Sequence, residues 1–357
     1  MIKIKKGLDL PISGMPSPVI TDTPTVNSVS LLSNDFIGMK PTMLVKTGDL
    51  VKVGTKIFED KKNPGVFFTS PAGGTISSIN RGDKRKFLSV EIDISVDEEY
   101  INFNYDNNES SLRNLLIESG LWNAFRTRPF NRTPSIDAIP DAVFINCCDT
   151  NPLSVDPYEI INSDYKNFEL ALDALKILFK SPLHLCYQNA NFNTANDGIN
   201  YHQFTGPHPA GLSSTHISSI YPVNLNRTAW TISYQDILSF GHLLNTNMLR
   251  THKTIAIGGP SVHEPSMMNA RIGGNLDQLT AGKINDGSRV ISGSIIFGHK
   301  SEGVMSYLGF YDSQISVIPD TANDIFMNWL MPGNELHSKL NVFISALNKA
   351  KRFAFTT

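Results

Sequence analysis

The sequence predicts a chain of several domains, of mixed α/β and α+β type. Three observations lead to this prediction: short apolar runs separated by Gly and Pro at the start, helical patterns alternating with apolar runs in the middle, and a return to strands and turns afterwards. The 357 residues suffice for two to three domains with cores of their own. We expect a β domain over 1–102, an α/β domain over 103–253, a β-grasp domain over 254–320 and the start of a helical segment over 321–357.

The composition narrows the classes of function. Lys and Arg number 31, Asp and Glu number 33, and the formal net charge is −2, so the chain has no overall attraction for a nucleic-acid backbone. Charged residues make up 18%, below the usual quarter, which suggests that partners cover part of the surface. No apolar run is long enough to span a membrane, and the N-terminus lacks the apolar stretch of a signal peptide. Three cysteines, two of them adjacent at 147–148 and the third distant at 186, predict no disulfide framework and favour the cytoplasm.

The first domain carries two turn-centred halves within residues 45–79, GDLVKVG at 48–54 and SPAGGTI at 70–76. This pattern resembles the biotinyl/lipoyl-carrier fold, a barrel-sandwich hybrid. Such carriers present an acylated lysine on the hairpin between the halves, where this chain has Lys61 and Lys62. The surrounding DKKNPG matches neither the biotin nor the lipoate motif, so we expect a structural sandwich without a covalent cofactor rather than a swinging arm.

The middle of the chain reads as alternating helices and strands. A polar linker precedes a helix at 111–119 that Ser110 or Ser111 would cap. A strand at 142–148, one helix from Tyr158 to about residue 180 and a strand at 184–188 follow. The long helix has an apolar stripe at i, i+3, i+4 spacing, formed by Phe168, Ala171, Leu172, Leu175 and Leu178. The alternation predicts a mostly parallel sheet of the Rossmann-like type.

Neither dinucleotide-binding nor metal motifs occur in the sequence. It contains no G-x-G-x-x-G and no G-x-x-x-x-G-K-[ST], and the segment in the corresponding place, 119–134, has Gly120 as its single glycine. No C-x-x-C and no H-E-x-x-H is present either. We therefore expect no phosphate cradle and no metal site.

The last third changes to strands again. The runs around KTIAIGGPSV, RVISGSIIFG and QISVIP, with breaks at Gly273, Gly274 and Gly282, are typical of a compact β-grasp module. After Pro319 two amphipathic helical segments follow.

Four motifs in this order carry a resemblance: SGLW-x-x-x-R-x-R-P-F at 119–130, FINCCDTNPL at 144–153, F-x-GPHPAGL-x-x-TH at 204–216 and IGGPSV at 257–262. Together with the β domain they resemble the A subunit of the Na⁺-translocating NADH:quinone reductases over essentially the whole chain. The resemblance implies a barrel-sandwich hybrid, an α/β domain similar to the flavoprotein subunit of respiratory complex I and an SLBB-like β-grasp domain. It also implies a C-terminal helical segment that continues further than this chain, so we expect a truncated sequence.

The resemblance also implies a role. Proteins of this family are peripheral, lie at the cytoplasmic face of the bacterial inner membrane, dock on the membrane subunits, chiefly the B subunit, and contribute to ubiquinone binding. Complex I flavoproteins carry a glycine-rich loop for FMN and NADH and a cysteine triplet for an iron–sulfur cluster, and this chain has neither. We therefore expect no FMN, no NADH site, no Fe–S cluster and no catalytic residue here. The alternative is a purely structural adaptor, with the quinone site in the membrane partner.

A quinone site needs an apolar slot and donors that strengthen as negative charge develops on the carbonyls. Three segments offer such residues, each with a structural alternative. The first comprises Trp122, Phe125, Arg126, Arg128 and Phe130, and its alternative is core packing and ion pairing. The second comprises Gly206, His208, Gly211 and His216; its histidines are expected to titrate near neutrality, and its alternative is a partner contact or a structural turn. The third comprises Phe36 and Met39, and its alternative is core packing.

Two further polar residues, Asp149 and Asn151, follow the strand at 142–148. They come at the carboxyl edge of the predicted sheet, where α/β proteins bind ligands, so they are candidates for a ligand or partner contact. Asp-Thr-Asn-Pro is equally typical of a turn that starts a helix. The adjacent Cys147 and Cys148 are expected to be buried and inert.

Overall fold

The computed structural model describes residues 1–320 and, further on, residues 332–333, 337, 343–347 and 352–353. The structure describes only parts of the two helical segments predicted after Pro319, among them a 3₁₀ turn at Ile344–Ala346, and the rest of both segments lies outside this set.

Two sheets form the N-terminal sandwich, and β-branched and aromatic residues make up most of their buried positions. The four-stranded sheet has the order β3-β9-β8-β5 and the three-stranded sheet the order β4-β6-β7. Phe58 of one sheet packs against Phe87 of the other with ring centroids 5.3 Å apart, so the two sheets share one core. The strands of this part of the chain are β1 (Ile2–Lys3), β2 (Ile20–Thr21), β3 (Ser28–Leu32), β4 (Pro41–Met43), β5 (Leu50–Val51), β6 (Lys56–Asp60), β7 (Phe67–Thr69), β8 (Gly74–Arg81) and β9 (Phe87–Ile94).

The hairpin between β6 and β7 is fixed at its tip. Lys62 Nζ donates to the Gly38 carbonyl at 3.0 Å. Asn63 Nδ2 donates to the carbonyls of Thr133 and Pro134 at 3.2 and 3.0 Å. A hairpin held on both sides in this way favours the structural interpretation over a swinging arm.

A six-stranded sheet forms the second domain, in the order β1-β13-β12-β11-β14-β10, and every pairing is parallel except that of β10 with β14. Its elements are α1 (Glu109–Glu118), β10 (Arg126–Arg128), β11 (Ala142–Cys147), α2 (Pro157–Ser163), α3 (Tyr165–Leu178), β12 (Leu183–Tyr187), β13 (Ile199–Thr205), α4 (Ser213–Ile220), β14 (Ala229–Ser233) and α5 (Tyr234–Thr246), with a 3₁₀ turn at Leu121–Ala124 after α1. The predicted parallel sheet is confirmed, and so is the predicted apolar stripe of α3, whose five members are all buried.

Two helix predictions were wrong in detail. The single helix from Tyr158 to residue 180 is two helices, because Asp164 between them leaves the helical region with φ −135° and ψ 40°. Helix α1 begins at Glu109 rather than residue 111, since the side chain of Asn108 caps it by accepting from Ser111 N at 2.9 Å.

The third domain is built on the sheet β18-β17-β19-β15-β16-β2, in which β15 and β19 run parallel. Its elements are β15 (His252–Gly258), β16 (Ser266–Arg271), α6 (Leu276–Leu279), β17 (Ser288–Ser292), β18 (His299–Lys300) and β19 (Gln314–Pro319). The first 21 residues join the domains, because β1 pairs with β13 in the sheet of the second domain and β2 pairs with β16 in the sheet of the third domain.

A buried ion pair holds the first and third domains together. Arg271 donates to both carboxylate oxygens of Glu98, at 2.7 and 2.5 Å, and also to the Pro71 carbonyl at 3.0 Å. The Arg271 side chain is 7% exposed and that of Glu98 16%. Bidentate geometry and the extra carbonyl compensate for the loss of water around the guanidinium.

We expect Glu98→Ala to lower the free energy of unfolding by about 3 kcal/mol, because it leaves the Arg271 guanidinium buried without its counter-charge. Denaturant unfolding of the purified chain measures this. Glu99→Ala is the matched control: the neighbouring Glu99 pairs with Lys52, but its side chain is 70% exposed, so its removal should leave stability unchanged. Equal losses in the two variants would contradict the assignment of the Arg271 pair as the inter-domain tie.

Candidate functional site

The structure brings most of the predicted site residues into two regions. Phe36 and Arg126 lie where the three domains meet, and Met39 lines a groove beside Phe36. Gly206, His208 and Gly211 lie with Asp149 and Asn151 at the carboxyl edge of the parallel sheet.

Trp122 and Phe125 are fully buried in the α/β domain. They follow α1, on and just after the 3₁₀ turn, and their ring centroids are 5.5 Å apart. Trp230 and Phe179 complete the cluster, and the Trp122 indole N–H donates to the Pro134 carbonyl at 3.0 Å. These two rings are core residues and present no open stacking face.

Phe36 stands at the junction of the three domains. Its ring centroid lies 4.4 Å from that of Phe68 in the first domain and 5.7 and 6.0 Å from those of Phe310 and Tyr311 in the third. The guanidinium of Arg126, from the second domain, lies 3.2 Å from the centre of the Tyr311 ring. Arg126 therefore acts as a cation over an aromatic face inside the protein.

One buried lysine and two half-buried aspartates lie around these rings. Lys253 is 4% exposed, and its Nζ donates to the carbonyls of Phe310 at 2.9 Å and Gly309 at 3.2 Å. A carboxylate oxygen of Asp35 accepts from Phe310 N at 2.9 Å, and Asp312 accepts from a serine hydroxyl at 2.6 Å. Burial lowers the pKa of Lys253 to about 8. Burial, and then the nearby Asp312 carboxylate, raises the pKa of Asp35 to about 7.

A small cavity of about 50 Å³ adjoins this cluster, lined by Phe36, Asp236 and Lys253 among others. Two of its polar atoms, Gln235 Oε1 and Arg250 Nη1, are buried and have no hydrogen-bond partner among the described residues. The space and these two unpartnered polar atoms suit ordered water. It is too small for a quinone ring, since ligand pockets measure about 300 Å³ or more.

A larger groove of about 500 Å³, which we call the flap groove, lies between residues 33–41 and 81–87. Phe36, Ile37 and Met39 give it an apolar lining, and the Ser33 hydroxyl beside them is buried without a partner among the described residues. At Gly38, with φ +80°, a Cβ would lie 2.9 Å from the Arg132 guanidinium. Residues 33–41, which form one wall of the flap groove, therefore pack closely against the loop that follows β10.

That loop exposes one aromatic ring. Phe130 has φ +71° and is 76% exposed. Arg128 is half-buried and contacts the Asn131 side chain, and burial together with the neighbouring Arg126 lowers its pKa. The loop thus brings Arg128 and Phe130 to the side of the molecule that carries the flap groove.

The second set of residues surrounds a pocket of about 560 Å³ at the carboxyl edge of the sheet. Asp149, Asn151 and Gly206 line it, and the N-terminal residues 9–15 run along it. The carboxylate of Asp9 accepts from His208 N at 2.8 Å, which ties this N-terminal segment to the GPHPAGL loop.

Short contacts brace the GPHPAGL loop against the end of β11. His208 Nδ1 lies 3.1 Å from the Thr150 carbonyl, and Gly211 N donates to the Thr150 hydroxyl at 2.9 Å. Asn146 Nδ2 donates to the Gly211 carbonyl at 3.1 Å. Burial raises the pKa of Asp149, although Asn151 donates to it from its backbone and its side chain at 2.8 and 2.9 Å.

His216 does not titrate near neutrality as the sequence suggested. It is fully buried, with its ring 4.2 Å from that of Phe204 and its Nε2 2.8 Å from the Ala210 carbonyl. Burial lowers its pKa to about 4, so it is a neutral core histidine.

Sequence reasoning missed the charged cluster at the junction. Lys253, Asp35 and Asp312 come from distant parts of the chain, and only the fold brings them together. One local signal was available: Lys253 opens the otherwise apolar run KTIAIGG, where a buried position needs a compensating partner.

The cysteines are buried and unbridged, as expected, and burial raises the pKa of Cys147, Cys148 and Cys186. Within the described part of the chain, no group of three His, Cys, Asp or Glu side chains is arranged to hold a metal ion. Over the same residues, no helix has the length and apolarity to cross a membrane.

Comparison with protein families defines the class. Residues 2–95 match the NqrA N-terminal barrel-sandwich hybrid domain, 107–249 the NqrA second alpha/beta domain and 254–303 the NQRA C-terminal domain, an SLBB module. The chain is thus a barrel-sandwich, α/β and SLBB protein, which confirms the predicted fold class.

Individual relatives extend this match to the full chain. It is 43% identical to the A subunit of the Na(+)-translocating NADH-quinone reductase of Actinobacillus pleuropneumoniae serotype 5b over 369 residues, covering 100% of this chain and 82% of that protein. The corresponding proteins of Haemophilus influenzae and Neisseria gonorrhoeae are each 44% identical with the same coverage. The chain belongs to the NqrA family, the A subunits of the Na⁺-translocating NADH-quinone reductases, as the motifs predicted.

The raised pKa of Asp35 makes stability depend on pH. The folded chain keeps this proton up to about pH 7, whereas an unfolded aspartate loses it near 3.8. The stability contributed by the proton is therefore fully present below pH 3.8 and is lost as the pH rises towards 7. Asp35→Asn is uncharged throughout. We expect its free energy of unfolding to rise relative to that of the wild type over this interval by on the order of 2 kcal/mol.

Urea unfolding at several pH values between 4 and 7.5 measures the difference. Asp83→Asn, at an exposed carboxyl, is the control and should follow the wild type at every pH. Parallel curves for wild type and Asp35→Asn would show that Asp35 does not hold the proton.

Proposed function

We propose that the chain acts as the peripheral A subunit of a Na⁺-translocating NADH:quinone reductase at the cytoplasmic face of the bacterial inner membrane. In this role it docks on the membrane subunits, chiefly the B subunit, and contributes a contact surface for ubiquinone. It carries no FMN, no NADH site and no Fe–S cluster of its own. Membership of the NqrA family over the full chain carries the proposal.

The flap groove supports the quinone contact best. Its volume of about 500 Å³ lies within the usual range of ligand pockets, and Phe36, Ile37 and Met39 supply an apolar wall for the ring and the tail. The Ser33 hydroxyl, unpartnered among the described residues, can donate to a quinone carbonyl. The lysine and arginine side chains that line the same groove favour the negative charge that reduction places on the quinone oxygens.

The carboxyl-edge pocket is a weaker candidate for quinone and also for a dinucleotide. Asp9, Asp149 and Asp156 line it against one cation, Arg352, among the described residues, and an excess of carboxylates repels phosphate groups and a reduced quinone alike. The N-terminal segment lies along the same edge and is held to His208. These observations support a chain without a nucleotide site.

A structural adaptor is the second candidate function. The full burial of Trp122 and Phe125 favours it, because two of the aromatic residues best suited to stacking on a quinone are committed to the core. In that case the quinone site lies in the membrane partner.

We expect Met39→Ala in the assembled complex to raise the KM for a short-chain ubiquinone about tenfold with little change in kcat, since it removes apolar wall from the groove. Steady-state kinetics of quinone reduction measure this. Met43→Ala is the matched control: Met43 is half-buried against the hydrophobic core and does not line the groove. An unchanged KM in Met39→Ala would favour the adaptor.

We also expect the purified chain to show no change in fluorescence or in Tm when FMN or NADH is added up to about 1 mM. The reason is the missing glycine-rich loop, whose place bulky side chains such as Trp122 and Phe130 take. Titration calorimetry of the same samples provides an independent readout. Saturable binding of either compound below this concentration would overturn the assignment of a chain without a nucleotide site.

A further inference from the structure

One rim of the flap groove is strongly basic. Five exposed cations line it, and we call them the basic rim: Lys40, Arg81, Lys84, Arg85 and Lys86. None of the five forms a salt bridge among the described residues, whereas other surface lysines, such as Lys52 and Lys56, do. Asp83, on the same turn, is the one acidic residue between residues 81 and 86.

The backbone keeps these charges together. Residues 83–85 form a tight 3₁₀ turn in which Lys84 has φ 52° and Arg85 φ 60°. Arg81 donates to the Arg85 carbonyl at 3.4 Å across the turn. The left-handed region is unusual for residues other than glycine, so the turn is an unusual place for two successive long cations.

An apolar side chain lies among the cations. Ile37 is 48% exposed and lines the same groove, next to the half-buried Met39. Cations surrounding exposed apolar residues are the arrangement of surfaces that sit at a bilayer interface, where headgroup phosphates meet the cations and the acyl boundary receives the apolar group.

We propose that the basic rim and Ile37 dock on the anionic surface of a phospholipid bilayer. This inference rests on the proposed peripheral role and deepens it, because it sets the mouth of the flap groove against the membrane, from which an isoprenoid quinone must come. Charge complementarity carries the choice of partner: cations without a salt bridge among the described residues gather on one small surface of a chain whose formal net charge is −2.

The chemistry of the rim favours lipid over an acidic protein. Three of the five cations are lysines, compact point charges that suit a diffuse layer of headgroups. The exposed Ile37 adds an apolar anchor that a layer of carboxylates would not need.

Co-sedimentation of the purified chain with vesicles tests the proposal. Vesicles of phosphatidylcholine with about 30% phosphatidylglycerol should bind the chain, vesicles of pure phosphatidylcholine should not, and raising the salt concentration should release it. Each basic residue near an anionic leaflet strengthens binding about fivefold, so K84E/R85E should weaken it at least about 25-fold.

The double variant K5E/K6E is the matched control, because it makes the same change in net charge at exposed lysines outside the rim. It should retain binding to within about threefold. I37S should weaken binding several-fold and leave the salt dependence unchanged. Equal losses in the two charge variants, or binding that does not require phosphatidylglycerol, would overturn the proposal. The proposal would also be overturned if the chain did not bind vesicles but bound poly-glutamate, and K84E/R85E weakened that binding.

The vesicle experiment separates this proposal from the quinone site, because it uses the purified chain and no quinone. A failed quinone proposal, seen as an unchanged KM in Met39→Ala, would leave the vesicle result standing.

Discussion

The three domains meet around one buried charge, the ammonium of Lys253. Lys253 is the second residue of strand β15 in the third domain, and its ammonium donates to two carbonyls at 309–310 of the same domain with Asp312 nearby. Burying an ammonium without such partners costs several kcal/mol. The first domain brings Asp35 to this point, where its carboxyl accepts from Phe310 N, and the second contributes Arg126 over the Tyr311 ring. The same junction is tied a second time by the buried pair of Arg271 and Glu98.

Most of the fold was predictable from the sequence because its local signals agree with one another. Gly and Pro spacing marked the β domain, and the stripe of α3 marked its buried face. The start of α1 was predicted wrongly because local signals did not decide it. Asn108, Ser110 and Ser111 are all acceptable caps, and only packing chooses among them. The break at Asp164 is a similar case, since no Gly or Pro announces it. The pairing of β1 and β2 with distant sheets had no local signal at all.

The candidate site was less predictable, because exposure decides it and sequence patterns do not report exposure. Trp122 and Phe130 stand in one motif, yet the first is fully buried and the second is 76% exposed. His208 and His216 share a loop and a helix start, yet the first is half-buried with its Nδ1 beside the Thr150 carbonyl and the second lies in the core. The motif located the right segments, and the structure determined which side chains in them remain accessible.

Phe36 connects the junction to the surface. Its ring packs on Phe310 and Tyr311 and lines both the small cavity at the junction and the flap groove. The wall of the groove is therefore held by the same contacts that hold the domains together, and a loosened junction would also reshape the groove. The basic rim, by contrast, stands mainly at the end of strand β8 and on the turn that follows it, so its charges can change without disturbing the junction. For this reason the charge of the rim can be varied separately from the stability of the fold and the shape of the groove.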